Sequence, residues 1–191
     1  MIIKMLGEVH MAENRIADPV PLGLAAFGVT LMMLSSANAG LWGGVGGAAV
    51  VGTSAFYGGI VLLIVGILEF MRGNGFTGTV FMSFGAFWLS IWYFLSHAAV
   101  QAPGALGVFL LMFAIASLVM WICAIKLSPQ LNVLFLLLFI TLVALTYGFW
   151  GAGHANAVKY GGYAGMLTSL LALYMTAKSM INEAWGKTVL P

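Results

Sequence analysis

The sequence predicts an all-α membrane protein, a bundle of six transmembrane helices with both termini in the cytoplasm. Composition and charge placement carry that prediction. Of 191 residues, 62% are hydrophobic and only 6% are charged, where a soluble globular domain carries about 25% charged residues. The seven Lys and Arg and five Asp and Glu side chains are therefore few enough to act as depth markers, since each is expensive at the bilayer centre. At about 100–200 residues per domain, the chain is one bundle.

A spanning helix needs about 20 apolar residues. Divided at Gly, Pro and polar clusters, the charge-free stretches run Pro21–Ala37, Ala48–Phe70, Thr79–Ser96, Ala105–Ile125, Leu131–Trp150 and Gly161–Met180. The first helix enters through Asp18-Pro19-Val20-Pro21, and Pro in a first turn removes no needed donor. Asp18 is then an N-cap, or part of a positively polarised helix start where an anion enters. The second helix ends at Glu69 and Arg72, spaced for an i,i+3 ion pair. Thr77, Thr79, Ser83 and Ser90 put hydroxyls around the third. The fourth carries the lone Cys123, which has no disulfide partner. Thr141 lies on the fifth, and Gly161, Gly162, Gly165, Thr168 and Ser169 give the sixth a small, polar face suited to close packing.

Lys4, Arg15, Arg72, Lys126, Lys178 and Lys187 fall on the side of the termini and only Lys159 falls opposite, which orients the chain N-in, C-in. Residues 1–20 form a cytoplasmic segment, 21–181 the membrane domain and 182–191 a cytoplasmic tail. The start lacks an apolar stretch of about 7–15 residues with a small-residue cleavage site, so no removable signal peptide is expected. The uncharged segment around Asn38–Gly52 and the stretch from Phe149 to Gly162 are expected as irregular loops tucked into protein or lining a vestibule.

Enzyme chemistry finds no support: there is no GxSxG elbow, HExxH pair or phosphate loop. His10 is assigned to one face and His97 and His154 to the other, with no carboxylate or thiolate beside them. No metal, cofactor or nucleic-acid partner is expected. With no charge within the spans, a path lined by Thr30, Asn38, Thr141 and Thr168 would be neutral and suit small polar solutes or a weak acid. Phe27, Phe84, Phe87 and Trp88 are core packing unless they face a lumen.

Several strings are more specific. DPVPLGLAAFG at Asp18–Gly28 resembles the NPAPLGL signature of the acetate uptake transporter family, the bacterial succinate-acetate permeases. FYGGI at Phe56–Ile60, GILEFMRGNGF at Gly66–Phe76, FGAFWLS at Phe84–Ser90 and NEAWGKTVLP at the C-terminus look like that family too. The resemblance implies a homohexamer in which each six-helix protomer has its own acetate path through a hydrophobic constriction. Carried onto this chain, the constriction is Phe27, Phe84 and Leu136. The binding candidates are Asp18, Leu22, Tyr57, Leu62, Glu69 and Asn74, beside the polar Thr30, Asn38 and Thr168. The chain departs from the pattern with Asp18 for Asn, Phe84 for Tyr, Gly75 for Thr and Leu62 for a Gln that can line the path.

Those departures make the middle drier. An isolated carboxylate is costly to desolvate, so protonated acid, or carboxylate passing the positive edges of Phe27 and Phe84, would cross more easily. The expected function is transport of acetate and similar small monocarboxylates, with or without a proton. The alternatives are a neutral-solute channel for ammonia, urea or water, and a non-transporting anchor or haem-binding subunit.

Overall fold

A computed structural model describes residues 16–42, 47–97, 104–150 and 154–191, so Lys4, His10 and Arg15 and the glycine-rich residues 43–46 lie outside the described residues. Among the described residues are six helices long and apolar enough to cross a membrane: α1 Val20–Asn38, α2 Ala48–Met71, α3 Gly75–Ser96, α4 Ala105–Ala124, α5 Pro129–Phe149 and α6 Ala155–Trp185. Helices are the expected solution, because a lipid-facing segment must satisfy its own backbone groups.

Five of the six agree with the expected spans to within a turn. The sixth does not, because helix α6 has 31 residues and begins at Ala155, where an irregular loop was expected as far as Gly162. At about 1.5 Å per residue it is about 46 Å long, well beyond a hydrocarbon core of about 30 Å. The polar residues Asn156, Lys159 and Asn182 that suggested loop and tail are instead helical extensions beyond the apolar stretch. The chain end folds back on this helix: Asn182 Oδ1 accepts from the amides of Val189 and Leu190, and Tyr174 donates to the Pro191 carbonyl at 2.6 Å.

Helix α2 is uneven along its length. Its middle, Ser54–Val61, is a π-helix, with regular α-helix before and after. Gly58 and Gly59 lie in this wider stretch, and a Cβ on Gly58 would come within 2.8 Å of the Trp88 ring while one on Gly59 would strike Leu89. The two glycines therefore let α2 nest against α3 and against Thr30 of α1.

Neighbour relations place the helices in a ring of order α3, α2, α1, α6, α5, α4. Helices α2 and α3 pair extensively, as do α1 and α6, while the α3 and α4 backbones stay apart. Small residues close the first seam: a Cβ on Gly162 would sit 2.5 Å from the Ala39 nitrogen and 2.7 Å from the Ser35 carbonyl oxygen. Ser169 Oγ donates to the Gly28 carbonyl and Thr176 Oγ1 to that of Pro21, tying the two helices by buried hydrogen bonds. Aromatic side chains fill the second seam, with Phe87 stacked on Phe109 at 5.4 Å and edge-on to Phe113 at 4.9 Å.

Because the Gly162 contact is with backbone, which cannot swing aside, Gly162→Ala should force α1 and α6 apart. A thermal melt in detergent should register a loss of roughly 1–3 kcal/mol, the usual cost of overpacking, whereas Gly52→Ala, which meets nothing within 4 Å, should change stability by no more than about 0.5 kcal/mol.

Candidate substrate path

The inner face of α3 carries Phe81, Phe84, Phe87, Trp88 and Ile91, at helical spacing and all buried. Facing it across the ring are Leu24, Phe27, Leu31 and Leu34 of α1 and Leu134, Phe135, Leu138 and Leu142 of α5, also buried. Two cavities lie between these faces. The larger, about 150 Å³, is at the end of the bundle where both termini lie and is walled by Val20, Leu24, Phe76, Thr77, Phe81, Ser128, Leu131, Phe135 and Met175 among others. The smaller, about 20 Å³, lies deeper and is walled by Leu31, Leu34, Ser35, Phe87, Trp88, Leu110, Thr141, Leu142 and Leu145.

Three side chains belong to both walls: Phe27, Phe84 and Leu138. They form the partition between the cavities, with the two rings edge to face at 5.6 Å and 69°. Neither cavity wall includes an Asp, Glu, Lys, Arg or His. Thr77 and Ser128 are the hydroxyl-bearing residues in the lining of the outer cavity, and Ser35 and Thr141, with Trp88, are the polar residues in that of the inner one.

Helix starts shape the outer mouth. Ser128 caps α5, its Oγ accepting from the Leu131 amide at 3.3 Å, with Pro129 in the first turn. Asp18 Oδ1 accepts from the Val20 amide at 3.3 Å and also pairs with Arg72 from the end of α2. Arg72 in turn reaches Glu69 Oε1 at 2.9 Å, the ion pair expected from their spacing. Glu69 is fully buried, and its second oxygen accepts from Asn74 at 3.0 Å and from the Thr77 hydroxyl. The hydrogen bond to Asp18, reinforced by the charge of both carboxylates, raises the Arg72 pKa further, so this cation is permanent. One linked cluster therefore joins the start of α1, the end of α2 and Thr77 in the wall of the path.

Of the residues expected in the path, Phe27 and Phe84 line the two cavities and most others line neither. Leu136 lines neither cavity; Leu138 does. Two residues along a helix is a rotation of about 200°, so the two leucines face opposite ways. Leu22 is 47% exposed on the outer surface, and Leu62 is fully buried away from both cavities. Tyr57 packs partly buried against the core, and Asn38 ends α1. Thr30 Oγ1 approaches the Thr53 carbonyl at 3.5 Å, and Thr168 donates to the Ala164 carbonyl while lying 3.5 Å from Thr141. Asp18, Glu69 and Asn74 form the cluster behind the mouth. His97 and His154 stack on Tyr93 and Tyr147, each at 4.2 Å.

A ring of six membrane-spanning helices around an uncharged, interrupted internal path defines a multi-pass membrane transport protein. The pattern of the GPR1/FUN34/yaaH family matches residues 5–190, and the chain belongs to that family. It is 33% identical over 186 residues to the Escherichia coli K12 succinate-acetate/proton symporter SatP, covering 95% of this chain and 97% of that one. It is 34% identical over 171 residues to the Saccharomyces cerevisiae ammonia transport outward protein 2, covering 84% of this chain and 60% of that one. A solved structure of the bacterial acetate channel SatP superposes with a TM-score of 0.85 at 31% identity, covering 92% of this chain and 98% of that one.

The mouth cluster makes a testable ranking. Glu69→Ala strands Asn74 and Thr77 without their acceptor and should lower the melting temperature distinctly. Asp18→Asn keeps an oxygen for Val20 and removes only an exposed ion pair, so it should change the melt much less.

Proposed function

We infer that this chain passes acetate and similarly small monocarboxylates across the cell membrane, through the interior of each protomer. The observation that carries this reading is the pair of in-line cavities meeting at Phe27, Phe84 and Leu138. Likeness to a succinate-acetate/proton symporter and to an acetate channel supports the substrate class. The partition is apolar, so a substrate crosses it by packing its methyl group against Leu138 and the two rings. The carboxyl group meets only hydroxyls, an indole N–H and ring edges on the way.

A wall without fixed cations does little to compensate a carboxylate for lost water, so the uncharged acid is the favoured passenger at the partition. On this reading transport carries a proton with each carboxylate, with no ionisable side chain needed inside the path. Both termini face the cytoplasm, as the bias of Lys and Arg to that end supports. The wide apolar outer surface, with Phe56, Ile64, Ile67, Val119 and Ile122 exposed, suits lipid and further copies of the chain in a hexamer.

A second reading, passage of ammonia, is favoured by the same uncharged walls and by the likeness to the yeast ammonia transport outward protein. Proteoliposomes separate the two: saturable uptake of labelled acetate, reduced by unlabelled acetate and untouched by ammonia or urea, supports the first. Phe27→Ala and Leu138→Ala should each change acetate uptake at least severalfold by merging the cavities. Leu136→Ala, on the opposite face of α5, should leave it unchanged; equal effects at 136 and 138 would displace the partition.

A further inference from the structure

Trp88 is fully buried, yet its Nε1–H has no hydrogen-bond partner. That combination is uncommon, because a buried donor without an acceptor loses its bond to water for nothing in return. The remaining tryptophans differ: of the six in the chain, all within the described residues, Trp88 alone is fully buried. Trp42 donates to Ser36 Oγ at 2.8 Å and Trp121 to Asn132 Oδ1 at 2.6 Å.

The indole is also held firmly. Phe87 meets it edge to face at 5.3 Å, and the missing side chain of Gly58, in the π-helical stretch of α2, leaves the space its ring occupies. Trp88 lines the inner cavity, beyond the partition, together with Ser35 and Thr141. Thr141 gives its own hydrogen to the Leu137 carbonyl at 2.8 Å, so its hydroxyl supplies an acceptor there. Trp88 thus brings to the lining of this cavity a donor that no protein group engages.

An indole N–H donates and never accepts. Its ligand must bring a hydrogen-bond acceptor, and a carboxyl oxygen is one. The inner cavity, about 20 Å³, holds about one water-sized group, which fits a carboxyl oxygen and excludes a whole acetate. We propose that Trp88 is a substrate-binding residue whose Nε1–H receives the carboxyl oxygen of the monocarboxylate just beyond the Phe27–Phe84–Leu138 partition, while the methyl group is still between those three side chains. The donor holds the carboxyl end forward, so a substrate passes in one orientation. This assignment rests on the monocarboxylate reading above and adds to it the residue that recognises the carboxyl group.

The test is Trp88→Phe, which keeps an aromatic ring and removes the donor, assayed by labelled acetate uptake in proteoliposomes beside a thermal melt. The apparent KM for acetate should rise about 2- to 10-fold, the range for one hydrogen bond, with the maximal rate changed less. Trp88→Tyr, which restores a donor, should recover part of the loss. An unchanged KM with an equal or higher melting temperature would mean that the N–H is a packing defect and would overturn the proposal. Absence of saturable acetate uptake by the wild-type protein would overturn the monocarboxylate reading itself and this proposal with it. Should the variants not fold, the indole N–H signals of wild-type, ¹⁵N-labelled protein decide. The signal most protected from soluble and lipid-borne relaxation agents is that of Trp88, and acetate should move it where equal chloride does not. No movement would overturn the assignment.

Discussion

Helix α1 lies so close to α6 that only glycine fits at 162, where a Cβ would touch the α1 backbone at both Ser35 and Ala39. Apolar burial cannot drive such an approach within lipid, since the tails are as apolar as leucine. Small residues and buried hydrogen bonds from Ser169 and Thr176 do it instead. With α1 pinned on that side, Phe27, about 100° round the helix from Gly28, turns inward, and its ring meets Phe84 across the ring of helices. The α3 and α4 backbones are left apart on the far side, where Phe109 and Phe113 fill the width. One tight seam and one aromatic seam thus set where the interior space lies.

The electrostatic design follows from the same arrangement. Charges are kept at the rim, where Arg72 lies between Asp18 and Glu69. Inside, hydroxyls and aromatic edges replace them. A site with a fixed cation would bind a carboxylate strongly and release it slowly. A neutral passage binds weakly throughout, which favours flux over affinity. Thr77 joins the two regions, since its hydroxyl is bonded to buried Glu69 while the residue itself lines the outer cavity.

The number of helices, the existence of each span and the Glu69–Arg72 pair were legible in the sequence because charge is scarce and its position is informative. The faces were not. Leu136, Leu137 and Leu138 are chemically identical, yet one lines the path and its neighbours do not. Leu22 and Leu24 likewise face opposite ways. In a soluble helix the outer face would be polar and the distinction visible; in lipid both faces are apolar. Phe27 and Phe84 were reached through family strings rather than periodicity. The extent of α6 was missed because its ends are polar, and apolar length measures the membrane rather than the helix. Nothing in the sequence marked Trp88 as lacking a partner, since that depends on what surrounds it.

The π-helical stretch of α2 leaves a mark on everything before it. A π-turn holds more residues than an α-turn, so Ser54–Val61 winds less far than eight α-helical residues would. Each residue of an α-helix advances the azimuth by about 100°. Ala48–Thr53 is therefore phased differently from Leu62–Met71, and one helix presents two unrelated faces to its neighbours. Removing a single residue with a return to regular winding would leave the two halves in nearly the same relative orientation but would abolish the wide turn that holds Gly58 and Gly59. The wide turn therefore constrains side chains as well as winding, since a Cβ at Gly58 or Gly59 would meet Trp88 or Leu89.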